Sequence, residues 1–286
     1  MKRLLVYIAL IVWCCGVNAQ LLYEISGKGL SKPSFLFGTH SMVSAEALID
    51  IPGVFRAFND CSAVLCEFVE EDNEDSEKVQ NKILNAAQMD LSLLDILDDE
   101  EEFLVDSALK AKLGLSLVEM QNFRPNMLTM IYEMTVAEHE ETENTSVESY
   151  FQVAGAELGK KVYGLESLEK QLFVFFQSKP IEQQAKQLVA TIRKEGNFKK
   201  DFETVEKVYC EGNLETLYQL ILDMKNMTEA EKFLLVDERN REWVPTIEEY
   251  IKSEPCFISV TALHLPGKDG LINLLRKAGY KVKEVK

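Results

Sequence analysis

The sequence predicts an α/β fold with a mixed, mostly buried central sheet and a large helical insert. Three observations predict it. Short apolar segments at 21–26, 34–39, 63–68, 161–165, 256–263 and 281–285 read as strands, and they are as brief and continuous as strands covered on both faces. Long stretches of helical periodicity lie between them and outweigh them. The strand-like segments also fall toward both ends of the chain, so a layered core is completed by its two halves.

The order of elements begins with an apolar leader. Residues 1–20 read MKRLLVYIALIVWCCGVNAQ. Lys2 and Arg3 give a positive start, an apolar stretch follows, and Val17-Asn18-Ala19 is a small-residue cleavage site. Cleavage after Ala19 leaves 267 of the 286 residues as an exported, periplasmic or extracellular protein. A lipid-anchored form is the lesser alternative, because Val12, Trp13 and Cys14 suit an anchoring signal poorly. The apolar stretch is shorter than the roughly 20 residues that cross a bilayer. Residues 20–286 contain no Pro/Gly/Ser linker, so a single domain is expected.

Gly27-Lys28-Gly29 reads as a tight turn between the first two strands. Helical periodicity covers 45–58, broken at Pro52-Gly53, then 75–87, a pair split by Pro125, and 147–158. An almost uninterrupted run covers 168–251, and along the chain the breaks at 122–125 and at Gly212-Asn213 mark expected helix junctions. The helical insert between Asp75 and Gln187 is the expected lid or substrate platform.

The formal charge of −16, or −18 after Lys2 and Arg3 leave, argues against a nucleic-acid partner. The acidic runs 70–75 and 98–102 lack the glycine and alternation of a calcium loop and read as solvated faces. Of six cysteines, Cys14 and Cys15 belong to the leader. Cys66 and Cys256 sit in apolar runs, where a buried free thiol and a disulfide are both open; Cys61 and Cys210 complete the set.

His139-Glu140-Glu141-Thr142-Glu143 begins like a zincin helix but lacks the second histidine. No GxGxxG, GxSxG or Walker A loop occurs. Asn144 and Asn226 are glycosylation acceptors only in a host that glycosylates.

The chain has three histidines, and two stand just after predicted strands: His40 after 34–39 and His264 after 256–263. In α/β sheets the strand carboxyl ends are where ligands bind. Glu67 ends the apolar run Ala63-Val64-Leu65-Cys66, where an unpaired charge is costly to bury. Two imidazoles and a carboxylate there form a plausible metal set; separate hydrogen-bonded core residues are the alternative.

Four segments resemble the TraB/GumN (TIKI-like) family. They are Phe35-Leu36-Phe37-Gly38-Thr39-His40 with Ile51-Pro52-Gly53; residues 159–166 with Gln171; Glu238-Arg239-Asn240-Arg241-Glu242-Trp243; and residues 262–271 with Gly279-Tyr280. The resemblance implies a compact fold of the erythromycin-esterase and ChaN-like kind. It also implies a hydrolase, in the TIKI branch a peptidase, that uses a divalent metal, manganese or cobalt before zinc. His40, Glu67 and His264 would hold the metal, Glu67 or Glu166 would act as general base, and Arg239 and Asn240 would contact a peptide or other small polar substrate. Two departures stand out. The first motif reads Gly38-Thr39-His40-Ser41 where the family has Gly-x-x-His, and Thr261 stands where the second has glycine. A one-residue shift in a strand reverses side-chain direction. A degenerate envelope protein that binds a ligand or a polysaccharide-assembly partner is the competing expectation. Arg239 could equally pair with Glu166, and Trp243 reads first as packing.

Overall fold

The structure, a computed structural model, describes residues 21–41, 43–69, 76–136, 146–224 and 227–285. The leader, the acidic run 70–75, the His139 segment, Asn144 and Asn226 lie outside the described residues.

All six expected strands form. They are β1 (Leu22–Ser26), β2 (Ser34–Thr39), β3 (Ala63–Cys66), β4 (Lys161–Gly164), β5 (Cys256–Thr261) and β6 (Lys281–Glu284). They make one mixed sheet in the order β4-β3-β5-β2-β1-β6. Strands β4, β3, β5 and β2 run parallel, while β1 is antiparallel to both β2 and β6. The four parallel strands therefore end on one edge, which carries the residues after Thr39, Cys66, Gly164 and Thr261. Between β1 and β2, Gly27, Lys28 and Gly29 all take positive φ (85, 48 and 83°), as the glycine-rich turn predicted.

Thirteen α-helices are described: α1 (Val54–Asp60), α2 (Ser76–Ala87), α3 (Asp99–Leu113), α4 (Leu117–Met120), α5 (Pro125–Val136), α6 (Val147–Glu157), α7 (Leu168–Leu172), α8 (Ile181–Arg193), α9 (Glu195–Cys210), α10 (Leu214–Met224), α11 (Glu229–Lys232), α12 (Glu238–Ser253) and α13 (Leu271–Lys277). The acidic run 98–102 opens α3. Asp98 caps it, accepting from the Glu100 and Glu101 amides at 3.0 and 2.9 Å, and the carboxylates that follow complement the helix dipole.

Helix α6 seats on the sheet because Ser146 caps its start, accepting from the Ser149 amide at 3.3 Å, and because residue 155 is glycine. A Cβ there would come within 2.8 Å of Val64. Phe151 packs one turn nearer the strand ends, against Phe37 and Phe257 at ring centroid distances of 5.4 and 4.5 Å.

Two expectations need correction. The segment between Asp75 and Gln187 is not one insert, because α6 and β4 belong to the sheet layers. Helices α3, α4, α5 and α8 are set apart from the sheet and share with the turn at Leu93 a core that includes Val105, Leu109, Leu117, Leu128, Tyr132 and Leu188, and a smaller cluster of Ala86, Ala87, Leu172 and Phe176 joins α2 to α7. The helical run from 168 to 251 is also divided. Besides the expected junction at Gly212, whose φ is 69°, Pro180 starts α8 and Thr228 caps α11.

Candidate functional site

The site is assembled from strand ends. Glu67 follows β3, Glu166 follows β4, His264 closes the short 3-10 turn after β5, and Arg239, Asn240 and Trp243 project from the first turns of α12. These residues, 197 positions apart at the extremes (264 minus 67), meet in one buried network.

Arg239 is its centre and is only 3% exposed. Nε and Nη2 donate to the two oxygens of Glu166 at 3.0 and 2.7 Å, a fork against a carboxylate. Nη2 also donates to Glu67 Oε2 at 2.7 Å, and Nη1 donates to the Leu235 carbonyl at 3.1 Å and faces His264 Nε2 at 3.3 Å. Those contacts account for all five guanidinium N–H groups. The second oxygen of Glu67 accepts from the amide and hydroxyl of Thr261 at 2.8 and 2.5 Å. Trp243 fills core as its type predicted, and its Nε1 donates to Glu166 at 3.1 Å. Its ring lies under the guanidinium, 4.7 Å from Cζ to centroid.

Asn240 settles the histidine tautomer. Its Nδ2 donates to the carbonyls of His264 and Asp269 at 3.1 and 2.9 Å, so Oδ1 must accept from His264 Nδ1 at 2.8 Å. The proton is therefore on Nδ1, and the Nε2 lone pair points at Arg239. Burial and the neighbouring guanidinium hold the imidazole neutral, down to about 3, against the opposing pull of Glu67. Burial raises Glu67, but His264, Arg239 and the two donations from Thr261 overcome it and bring the group down to about 2. With His264 neutral near pH 7, Arg239 and Thr261 carry that effect.

Of the expected metal ligands, Glu67 and His264 come together, with Oε1 and Nε2 3.8 Å apart. His40 follows the last residue of β2 and lies beside Tyr209, ring centroids 6.1 Å apart, and the Tyr209 hydroxyl donates to the Gly38 carbonyl at 2.8 Å. In this arrangement the donor set does not fit a divalent cation. The lone pair that His264 would offer faces an Arg239 N–H, both Glu67 oxygens accept hydrogen bonds, and a resident guanidinium would repel a second cation.

Sequence reasoning missed Glu148, in the first turn of α6. Its half-buried carboxyl has no hydrogen bond or ion pair among the described residues. Burial and the nearby Glu67 charge push it up to about 7, against a smaller opposing effect of Arg239. One signal pointed to it: an acid three residues before Phe151, on the inward face of an amphipathic helix.

A sequence model of the TraB/PrgY/gumN family matches residues 21–284. The chain belongs to the TraB/PrgY/gumN family. No curated protein and no solved structure matches it. The matched span includes all six strands and every residue of the network. No helix among the described residues is long and apolar enough to cross a membrane. Cys61, Cys66 and Cys256 are buried free thiols, and Cys210 is an exposed one.

Proposed function

We propose that this family member is a hydrolase of peptide or other acyl bonds, working at the carboxyl ends of β2, β3 and β5. One observation carries the reading: a guanidinium, two carboxylates and an imidazole are buried together where an α/β sheet receives ligands. Burying such a group costs several kcal/mol per ion before pairing offsets it, so stability alone is a poor reason to keep it there. Perturbed ionisation gathered at one sheet edge is a feature that reactive sites share.

Arg239 and Asn240 were expected to contact substrate. Their donors are engaged within the fold, so we assign them the fixing of Glu67, Glu166 and His264. Glu67 and Glu166 then supply a rigid negative field beside the reaction rather than a mobile proton. The manganese or cobalt dependence implied by the resemblance would require Arg239 to release His264 Nε2 and Glu67 Oε2. Export of a chain cleaved after Ala19 belongs to the same reading, and N-terminal sequencing of the secreted product tests it.

The test is turnover of fluorescein-labelled casein and p-nitrophenyl butyrate by the purified protein, with EDTA and with added manganese or cobalt. Turnover abolished by Glu67→Gln supports the hydrolase. Activity appearing only with metal would show that Arg239 yields its place. No turnover in any condition favours the second reading, a non-catalytic ligand-binding protein, which the complete internal pairing of Arg239 and Asn240 supports.

A further inference from the structure

Beneath the first turn of α6 the sheet presents polar side chains where the layers below are apolar. The strand register sets the layers. Val64, Phe257 and Phe35 share one row, Cys66, Ser259 and Phe37 the next, and Thr39 pairs with Thr261 in the row at the strand ends. Side chains two residues apart share a face, so Thr39 and Ser259 lie on the face that carries Phe37 and Phe257. Helix α6 covers that face and descends away from the strand ends, with Gly155 over Val64 and Phe151 over Phe257 and Phe37. Glu148 is two turns nearer the strand ends than Gly155, a rise of about 10 Å. That places it above Cys66, Ser259 and Thr39. Its electrostatic neighbours agree, since its charge acts on the Cys66 thiol and that of Glu67 acts on Glu148.

Thr39 and Ser259 are 0% and 4% exposed, and neither hydroxyl oxygen has a hydrogen-bond partner among the described residues. Buried hydroxyls without partners are uncommon, and ordered water is the usual remedy where two to four polar groups converge. Two such hydroxyls and an unpaired carboxyl occupy one polar patch beside Glu67.

We infer that Thr39 and Ser259 hold the attacking water and that Glu148 removes its proton. This rests on the hydrolase reading. As the water oxygen bonds to the acyl carbon, its proton passes to Glu148 and the carbonyl π pair moves onto the carbonyl oxygen. When the tetrahedral intermediate collapses, the bond to the leaving nitrogen or oxygen breaks, and Glu148 returns the proton to that atom. The neutral-range titration of Glu148 suits both directions of transfer.

The experiment measures turnover of whichever of fluorescein-labelled casein and p-nitrophenyl butyrate the unsubstituted protein hydrolyses. Glu148→Gln should lower kcat by ~100-fold or more with KM little changed. Glu148→Ala should recover at least about tenfold in sodium formate, which supplies the missing carboxylate; a merely structural role would give no such recovery. Thr39→Val and Ser259→Ala, which only position the water, should each lower kcat by about tenfold. Glu148→Gln retaining more than about a third of kcat, while Glu67→Gln is inactive, overturns this inference and leaves the hydrolase reading standing. Failure of formate to restore a folded Glu148→Ala protein also overturns it. No turnover by the unsubstituted protein removes the hydrolase reading and this inference together.

Discussion

The sheet region and the α3, α4, α5 and α8 region solve burial in opposite ways. The helical region closes over aliphatic side chains and Tyr132 and keeps its ion pairs outside, as with Lys112 and Glu195, whose side chains are 38% and 34% exposed. The sheet region takes Arg239, Glu67 and Glu166 inside at 4%, 8% and 5% side-chain exposure. Only the second needs every partner in place, because a buried charge that loses its partner has no water to fall back on. The helical core behaves as a support, and the strand-end network as the part that limits what may change.

The contrast is broken most directly at Arg239. Arg239→Ala leaves two buried carboxylates uncompensated and should lower unfolding stability by about 3–5 kcal/mol in urea titration. Combining Arg239→Met with Glu67→Gln and Glu166→Gln should recover much of that. On the helical side, Leu128→Ala should cost about 2–5 kcal/mol through its cavity, while any hydrolytic kcat stays within about threefold. A comparable loss of kcat would mean the helical core shapes the site.

pH sharpens the comparison. Glu67 at about 2 and His264 at about 3 bind protons less readily in the fold than at their ordinary values of 4.5 and 6.5. Their stabilisation is complete above 6.5 and is lost as pH falls toward 2. Glu148, at about 7 against 4.5, has the opposite sign, so its contribution is complete below 4.5 and is lost as pH rises through 7. Thermal melts should therefore show Glu148→Gln removing part of the decline between pH 4.5 and 8 while the acid-side decline persists. An unchanged profile would mean Glu148 is solvated. The smallest effect belongs to the surface, where Lys112→Ala should change stability by less than about 1 kcal/mol.

The strands, their placement and the convergence of Glu67 with His264 were legible because short apolar runs, and the polar residues that end them, mark a covered parallel sheet. Arg239 was legible as a motif, with pairing to Glu166 already one of its two readings. That it also engages Glu67 and His264 was not, since this depends on how α12 crosses the strand ends. Glu148 was hidden for a related reason: nothing in the residues around it states which strands α6 covers. The divisions of the 168–251 run lay in sight at Pro180 and Thr228, but periodicity averaged across them.

The strand order also dictates when this protein can exist. Strand β5 separates β2 from β3, yet it enters the chain only at Cys256, and β6, which borders β1, arrives at Lys281. Until those residues emerge, β2 and β3 each expose an unsatisfied edge along the middle of the future sheet. A nascent chain must hold β2 and β3 apart until Cys256–Thr261 has emerged, and the sheet then closes through contacts of long sequence separation. Folding of the site therefore waits on Cys256–Thr261, and a chaperone that binds the chain before then meets β2 and β3 as open edges.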